Sequence, residues 1–218
     1  MSHRPLRVAV LISGTGSNLK TLIDAARSGR LNIEISQVIS SRSEAPGLRH
    51  ARDAGIETAM IAASDRSGQD RAVTRCLDGK DVELVVLAGY MSILGARLVD
   101  RYAGRMINLH PSLLPLYPGL DTYRRALAAG DREHGASIHF VTAELDSGPV
   151  ISQVRIPVLR DDTTRELAAR LGPREHELLR ATVELFTERR VELHADAVVL
   201  DGQRLTQPLL LNEKNHFD

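Results

Sequence analysis

The chain has 218 residues, 43% hydrophobic and 26% charged, which suits a globular protein with room for one sizeable core. Lys plus Arg and Asp plus Glu both number 28, so the net charge is zero and the basic surplus that nucleic acid demands is missing. The lone Cys76 excludes an internal disulfide, Met1–Pro5 has no apolar signal core, and no apolar run reaches the roughly 18 residues a membrane span needs, so a cytoplasmic protein is expected.

Leu6–Ile12 is a nearly continuous apolar run, as in a buried parallel strand. Ser17–Ala26 follows with Leu19, Leu22, Ile23 and Ala26 at helical spacing. Strands are predicted at Ile33–Ile39, Thr58–Ala62, Leu84–Ala88 and Met106–His110, separated by helices at Gly47–Ala54, Asp70–Leu77 and Gly95–Tyr102. Such alternation predicts an α/β fold, Rossmann-like, with a mostly parallel sheet and helices on both faces. After His110 the character changes. A Pro-rich loop to Gly119 precedes a helix at Thr122–Ala129. Two strands, Ala136–Val141 and Val150–Val158, read as antiparallel additions. Helical stretches Thr163–Leu171 and Glu175–Arg189 flank Gly172-Pro173, where a break or kink is expected. Asp201-Gly202 marks a hairpin turn, and the polar tail from Asn212 is expected to fray. One domain over 1–218 is expected, with a phosphate-binding lobe at about 6–110 and a second lobe at about 111–211.

Ser13-Gly14-Thr15-Gly16-Ser17-Asn18 joins the first strand to the first helix. Glycines let the backbone approach a ligand, and unpaired N–H groups at a helix start suit a phosphate. A tight turn with Ser at the helix start is the plainer reading. Leu19 stands where a dinucleotide fingerprint has its third glycine, and Ser40-Ser41-Arg42 supplies no acidic ribose ligand, which favours a monophosphate over NAD and leaves NADP open. Asn108, His110 and Ser112 follow a parallel strand, at the edge where ligands gather, and period two puts Asn108 and His110 on one face. Glu144-Leu145-Asp146-Ser147-Gly148-Pro149 offers a carboxylate between two strands. An amide donor and an imidazole suit an oxyanion, and a carboxylate suits proton removal from an attacking amine. Each residue also has a plain structural reading, and Asp-Ser-Gly-Pro alone is usually a turn.

VLISGTGSNL, VVLAGYMSIL, NLHPSLLPLYPGL, HGASIHFV and ELDSGPVI together give the chain a resemblance to the folate-dependent formyltransferases, on the phosphoribosylglycinamide branch, from about Val8 to the final hairpin. The resemblance implies formyl transfer from 10-formyltetrahydrofolate, a co-substrate, to the amine of glycinamide ribonucleotide in purine biosynthesis, without a metal. It implies a catalytic trio of Asn108, His110 and Asp146, with Asp146 favouring protonated His110. Gly16, Ser17 and Asn18 match the substrate-phosphate loop, and Glu175 the acid that holds the glycyl end. Arg66, Met91, Ser92, Ile93, Leu94, Asn108, Val141 and Asp146 match folate contacts, which makes the second lobe the folate-binding and catalytic one. Ser92 and Leu116 stand where the family often carries Arg and Lys. The implied partners are these two small molecules, with neither nucleic acid nor membrane, in a monomer or homodimer.

Four rivals remain. A deformylase would hand the formyl group to water and usually carries an extra N-terminal domain. An initiator-tRNA formyltransferase would share the trio and usually carries a C-terminal RNA-binding domain. A nucleotide sensor would need the glycine loop alone, and an NADP oxidoreductase lacks support from the missing third glycine.

Overall fold

In the computed structural model, which describes residues 4–62 and 65–218, strands and helices alternate from the start. The order is β1 (Leu6–Ile12), α1 (Ser17–Arg27), β2 (Ile33–Ser40), α2 (Gly47–Asp53), β3 (Thr58–Met60), α3 (Arg66–Leu77), β4 (Leu84–Leu87), α4 (Ala96–Arg101) and β5 (Met106–His110). There follow α5 (Thr122–Ala129), β6 (Glu133–Phe140), β7 (Val150–Pro157), α6 (Thr164–Thr187), β8 (Val191–His194), β9 (Ala197–Leu200), β10 (Gln203–Arg204) and β11 (Leu209–Leu210). Met1–His3, read above for a targeting signal, lies outside the described residues. Among those described, no helix is long and apolar enough to cross a membrane.

Eight strands form one sheet in the order β11-β7-β6-β5-β4-β1-β2-β3. The run from β3 to β5 is parallel, while β6 pairs antiparallel with both β5 and β7. The expected Rossmann-like α/β sheet with antiparallel additions is therefore present. Alternation along each strand divides the apolar side chains between two cores. Val8, Val10 and Ile12 of β1 face Leu19, Leu22 and Leu48 of α1 and α2 and Leu167 and Leu178 of α6. Ala9 and Leu11 face Val73, Leu77, Leu98 and Val99 of α3 and α4. Both faces of the sheet are thereby covered, which explains why β1 reads as unbroken apolar sequence.

Two local expectations fail. Helix α6 runs from Thr164 to Thr187 with no break at Pro173, started by a capping box of Thr163 and Glu166. Proline removes one helical hydrogen bond, and the expected break follows from that loss. Here Leu167 and Leu171 before it, and Leu178 and Leu179 after it, are all fully buried in one core, so packing holds both halves in one helix. The C-terminal tail does not fray either. Arg174 donates to the Asn212 carbonyl at 2.7 Å and to Asn215 Oδ1 at 2.6 Å, and Leu211 bridges Phe217. The Asp201-Gly202 hairpin does form, with φ of 50° and 79° at its two central residues, as that turn requires.

Gly16 (φ 73°) opens α1, and a Cβ there would lie 2.6 Å from Gly47 Cα. A Cβ on Gly47 would in turn lie 2.7 Å from Ile12 Cδ1 and 2.9 Å from Gly16 Cα, so the candidate phosphate loop rests directly on α2. Filling this contact forces backbone to move, at about 1–3 kcal/mol. Gly47→Ala should therefore lower the thermal midpoint, by roughly 2–4 °C for each kcal/mol. An unchanged midpoint would show that the loop yields freely.

Candidate active site

Strand β5 turns Ile107 and Leu109 into one core and Met106 into the other, so Asn108 and His110 share the α3/α4 side of the sheet. Antiparallel β6 does the same. Ala136, Ile138 and Phe140 enter the first core, which leaves Ser137 and His139 on the side of Asn108 and His110. Register pairs Asn108 with His139 and His110 with Ser137. Asn108 Nδ2 accordingly lies 3.1 Å from His139 Nε2, whose Nδ1 is 2.9 Å from the Phe140 carbonyl.

The Pro-rich segment after β5 is bolted down by strand residues. Ser137 Oγ donates to the Ser112 carbonyl at 2.6 Å and accepts from the Leu114 N–H at 3.0 Å. Gln153 Nε2 donates to the Leu114 carbonyl at 2.8 Å and to Ser137 Oγ at 2.9 Å. The segment then winds through left-handed conformations at Tyr117 (φ 55°), Gly119 (φ 79°) and Asp121 (φ 59°). For a bulky residue such as Tyr117 this conformation is costly, on the order of 1–3 kcal/mol. It turns the Tyr117 carbonyl to 2.9 Å from His110 Nε2 and the Gly119 N–H to 2.8 Å from Asp146 Oδ2.

Asp146 itself has φ 49°. From the β6–β7 connection it reaches back over β5, with Oδ1 accepting from Asn108 Nδ2 at 3.3 Å and Oδ2 lying 3.4 Å from His110 Nδ1. Burial alone would push this carboxyl up. Hydrogen bonding from its neighbours and the charge of the two imidazoles overcome that and hold it below the ordinary carboxylate value. The Gly119 bond is the firm one, since His139 Nε2 stands at 3.6 Å. For His110 the balance falls the other way. Burial lowers its pKa by more than the Tyr117 carbonyl and Asp146 raise it. Asp146 does favour protonated His110, the direction expected of it, and desolvation outweighs that contribution.

Asn108, His110 and Asp146 line a cleft of about 650 Å³. Part of its wall is Asn18, Tyr123 and Glu175, which lie together. Burial pushes the half-buried Glu175 carboxyl up, and the Tyr123 hydroxyl and the Asn18 side chain draw it partly back. Asn18 Oδ1 is buried and has no hydrogen-bond partner among the described residues. The wall also includes Met91, Ser92, Ile93 and Leu94 and the segment from Val141 to Leu145. Ser13, the first residue of the glycine loop, orients the Met91 segment by accepting from the Met91 N–H at 2.8 Å. Burial raises the Tyr90 hydroxyl to about 12. Large apolar side chains stay exposed at the rim: Met91, Ile93, Leu120 and Leu145. Of the other expected residues, Gly16 and Ser17 adjoin Asn18 at the start of α1, and Arg66 lies off the cleft wall, exposed at the start of α3 beside Gly95. Among the described residues, no cluster of His, Cys, Asp or Glu could hold a metal ion.

His139, Tyr123, Ser137 and Gln153 carry no role in the sequence reading. A signal existed for two of them. Ser137 and His139 alternate with Ala136, Ile138 and Phe140, so β6 carries a polar face. What that face meets depends on strand pairing.

The chain matches the formyl transferase family over residues 6–183. It is 45% identical over 203 residues to the phosphoribosylglycinamide formyltransferase of Escherichia coli, which covers 92% of this chain and 96% of that protein. Among solved structures, the phosphoribosylglycinamide formyltransferase of Coxiella burnetii is similar at a TM-score of 0.88 and 44% identity, over 93% of this chain and 96% of that one. A formyltetrahydrofolate deformylase from Pseudomonas syringae is similar at a TM-score of 0.85 and 29% identity, over 90% of this chain and 66% of that one.

The raised Glu175 pKa fixes the sign of one pH effect. An acid with a higher pKa folded than unfolded binds more protons in the folded state, so stability falls as pH rises between the two values. Glu175→Gln removes that loss. The variant should gain on the wild type as pH climbs from about 4, where the unfolded carboxyl begins to ionise, toward 8, as read from urea midpoints. A wild type that gains on the variant over this range would contradict the assignment.

Proposed function

The chain belongs to the formyl transferase family, and from that premise we propose that it moves the formyl group of 10-formyltetrahydrofolate to the primary amine of glycinamide ribonucleotide. The observation that carries this reading is the meeting of Asn108, His110 and Asp146 in a cleft that two chemically different groups of residues also line. The acceptor set has a carboxyl at Glu175 and an unpartnered carbonyl oxygen at Asn18, two acceptors for the N–H groups of an amine, next to a glycine loop at the start of α1 suited to a phosphate. The donor set offers backbone groups of Met91–Leu94 and Val141–Asp146 to a pterin edge, with exposed Met91, Ile93 and Leu145 to flank an aromatic tail.

The amine nitrogen attacks the formyl carbon, and the carbonyl π pair moves onto oxygen. Collapse re-forms C=O and breaks the bond to the folate nitrogen. The proton lost by the amine ends on that folate nitrogen. In the ligand-free protein both amide N–H groups of Asn108 are engaged, by His139 and by Asp146. The contact to Asp146, at 3.3 Å, is the weaker and the one the formyl oxygen displaces. His110 Nε2, now against the Tyr117 carbonyl, is the second donor. Burial holds the imidazole pKa down in the resting site. A neighbouring oxyanion raises its proton affinity, so its hydrogen bond strengthens as charge develops. Donors of this type contribute about 10²–10³ in rate. Asp146, held ionised, orients both donors and relays the amine proton through water.

Hydrolysis of formyl-folate is the second reading, favoured by the likeness to a deformylase. A water nucleophile makes no use of the Asn18–Glu175 pair, which supports the amine. Folate product followed by absorbance, with and without glycinamide ribonucleotide, tests the two: product should depend on the amine, and equal rates without it would establish hydrolysis. Asp146→Asn should lower kcat at least 10²-fold, and near-normal turnover would remove Asp146 from the mechanism. Asn18→Ala should raise KM for the ribonucleotide and leave that for folate unchanged; an unchanged ribonucleotide KM would remove Asn18 from the acceptor site.

A further inference from the structure

We propose that Tyr123 is a positioning residue for Glu175: its hydroxyl directs the carboxylate toward the acceptor amine, and its ring ties that carboxylate to the catalytic loop. This rests on the assignment of Glu175 to the acceptor. Tyr123 is the second residue of α5, which packs on the helix that carries Glu175. Its hydroxyl donates to Glu175 Oε1 at 3.3 Å. The ring is braced on His134, with centroids 5.1 Å apart and planes at 58°. His134 is 2% exposed and hydrogen-bonded to the Pro111 carbonyl, one residue after His110. Pro111, His134, Tyr123 and Glu175 thus form a continuous line of contacts from the catalytic strand end to the acceptor carboxylate.

Glutamate has three rotatable side-chain bonds, and holding it in one pose costs entropy that its contacts must offset. Few groups face it. The Asn18 side chain approaches from α1 and the Tyr123 hydroxyl from α5, and these two are what lower its proton affinity against burial. Its neighbour Arg174 points instead to the C-terminal tail. Among the described residues no cation fixes the carboxylate, and its hydrogen bonds to Tyr123 and Asn18 are what orient it and favour its charged form. Tyr123 belongs to the wall of the cleft on either count.

Tyr123→Phe removes the hydroxyl and keeps the ring on His134, while Tyr123→Leu removes both. In ligand-free protein, the carboxyl carbon of Glu175, assigned with Glu175→Gln, should titrate about one pH unit higher in the Phe variant, since the lost bond favoured the charged form. In turnover, KM for glycinamide ribonucleotide should rise roughly tenfold in both variants, about 1.4 kcal/mol. The formyl-folate KM should stay constant, and the acid limb of kcat/KM should move up by the same pH unit. A Phe variant that matches wild type in titration and amine KM, with only the Leu variant impaired, would reduce Tyr123 to packing and overturn the proposal. Because the titration needs no substrate, a wild type inactive on the ribonucleotide would count against the proposed function and leave the Tyr123–Glu175 contact to be decided by the carboxyl signal.

Discussion

The antiparallel pairing of β6 against β5 is the constraint on which the site depends. It sets Asn108 opposite His139 and His110 opposite Ser137, on the face away from Ile107, Leu109, Ala136, Ile138 and Phe140. A slip of one residue would exchange every side chain between faces, placing His139 in the core and Phe140 in the cleft. Packing of Ala136, Ile138 and Phe140, all fully buried, therefore holds the polar pairs in register as firmly as any hydrogen bond between them.

Asp146 is the electrostatic counterpart of that pairing. One carboxylate faces two imidazoles and an amide, and its left-handed backbone brings it there from a turn. Such a conformation persists only where surrounding contacts over-determine it. Here the Gly119 N–H does so on one oxygen, from a loop whose own unusual conformation at Tyr117 is held through Ser112, Ser137 and Gln153. Strain in the two segments is mutual, and each supplies the hydrogen-bond partner that keeps the other in place. Burial then divides the titrating groups: the carboxylate stays ionised, while the imidazole of His110 is biased toward neutrality and free to respond to charge.

The glycine loop and Glu175 stand on helices of the other core. Gly16 is pressed on Gly47 of α2, and Glu175 stands on α6 just past a proline that the helix absorbs. The long helix packs on β6 and β7 with leucines buried on both sides of Gly172-Pro173, so its polar position at Glu175 is set by core packing rather than by local sequence preference. Tyr123 touches both Glu175 on α6 and His134 on β6.

The sequence by itself determined the parallel strand order as a class, the glycine loop at the start of α1, the shared face of Asn108 and His110, and the Asp201-Gly202 hairpin. All are local: they follow from residue period, turn chemistry and the burial of apolar runs. Its two local misreadings, at Pro173 and at the tail, are places where distant packing overrode propensity: leucines on either side in one case, and Arg174 reaching to Asn212 and Asn215 in the other. Only the tertiary structure decided that His139 meets Asn108, that Gly119 and Tyr117 set the orientation of Asp146 and His110, and that Tyr123 touches Glu175. Those contacts join residues 7 to 52 positions apart, and the charge state of His110 depends on how much water the whole fold removes, a quantity that no stretch of sequence contains.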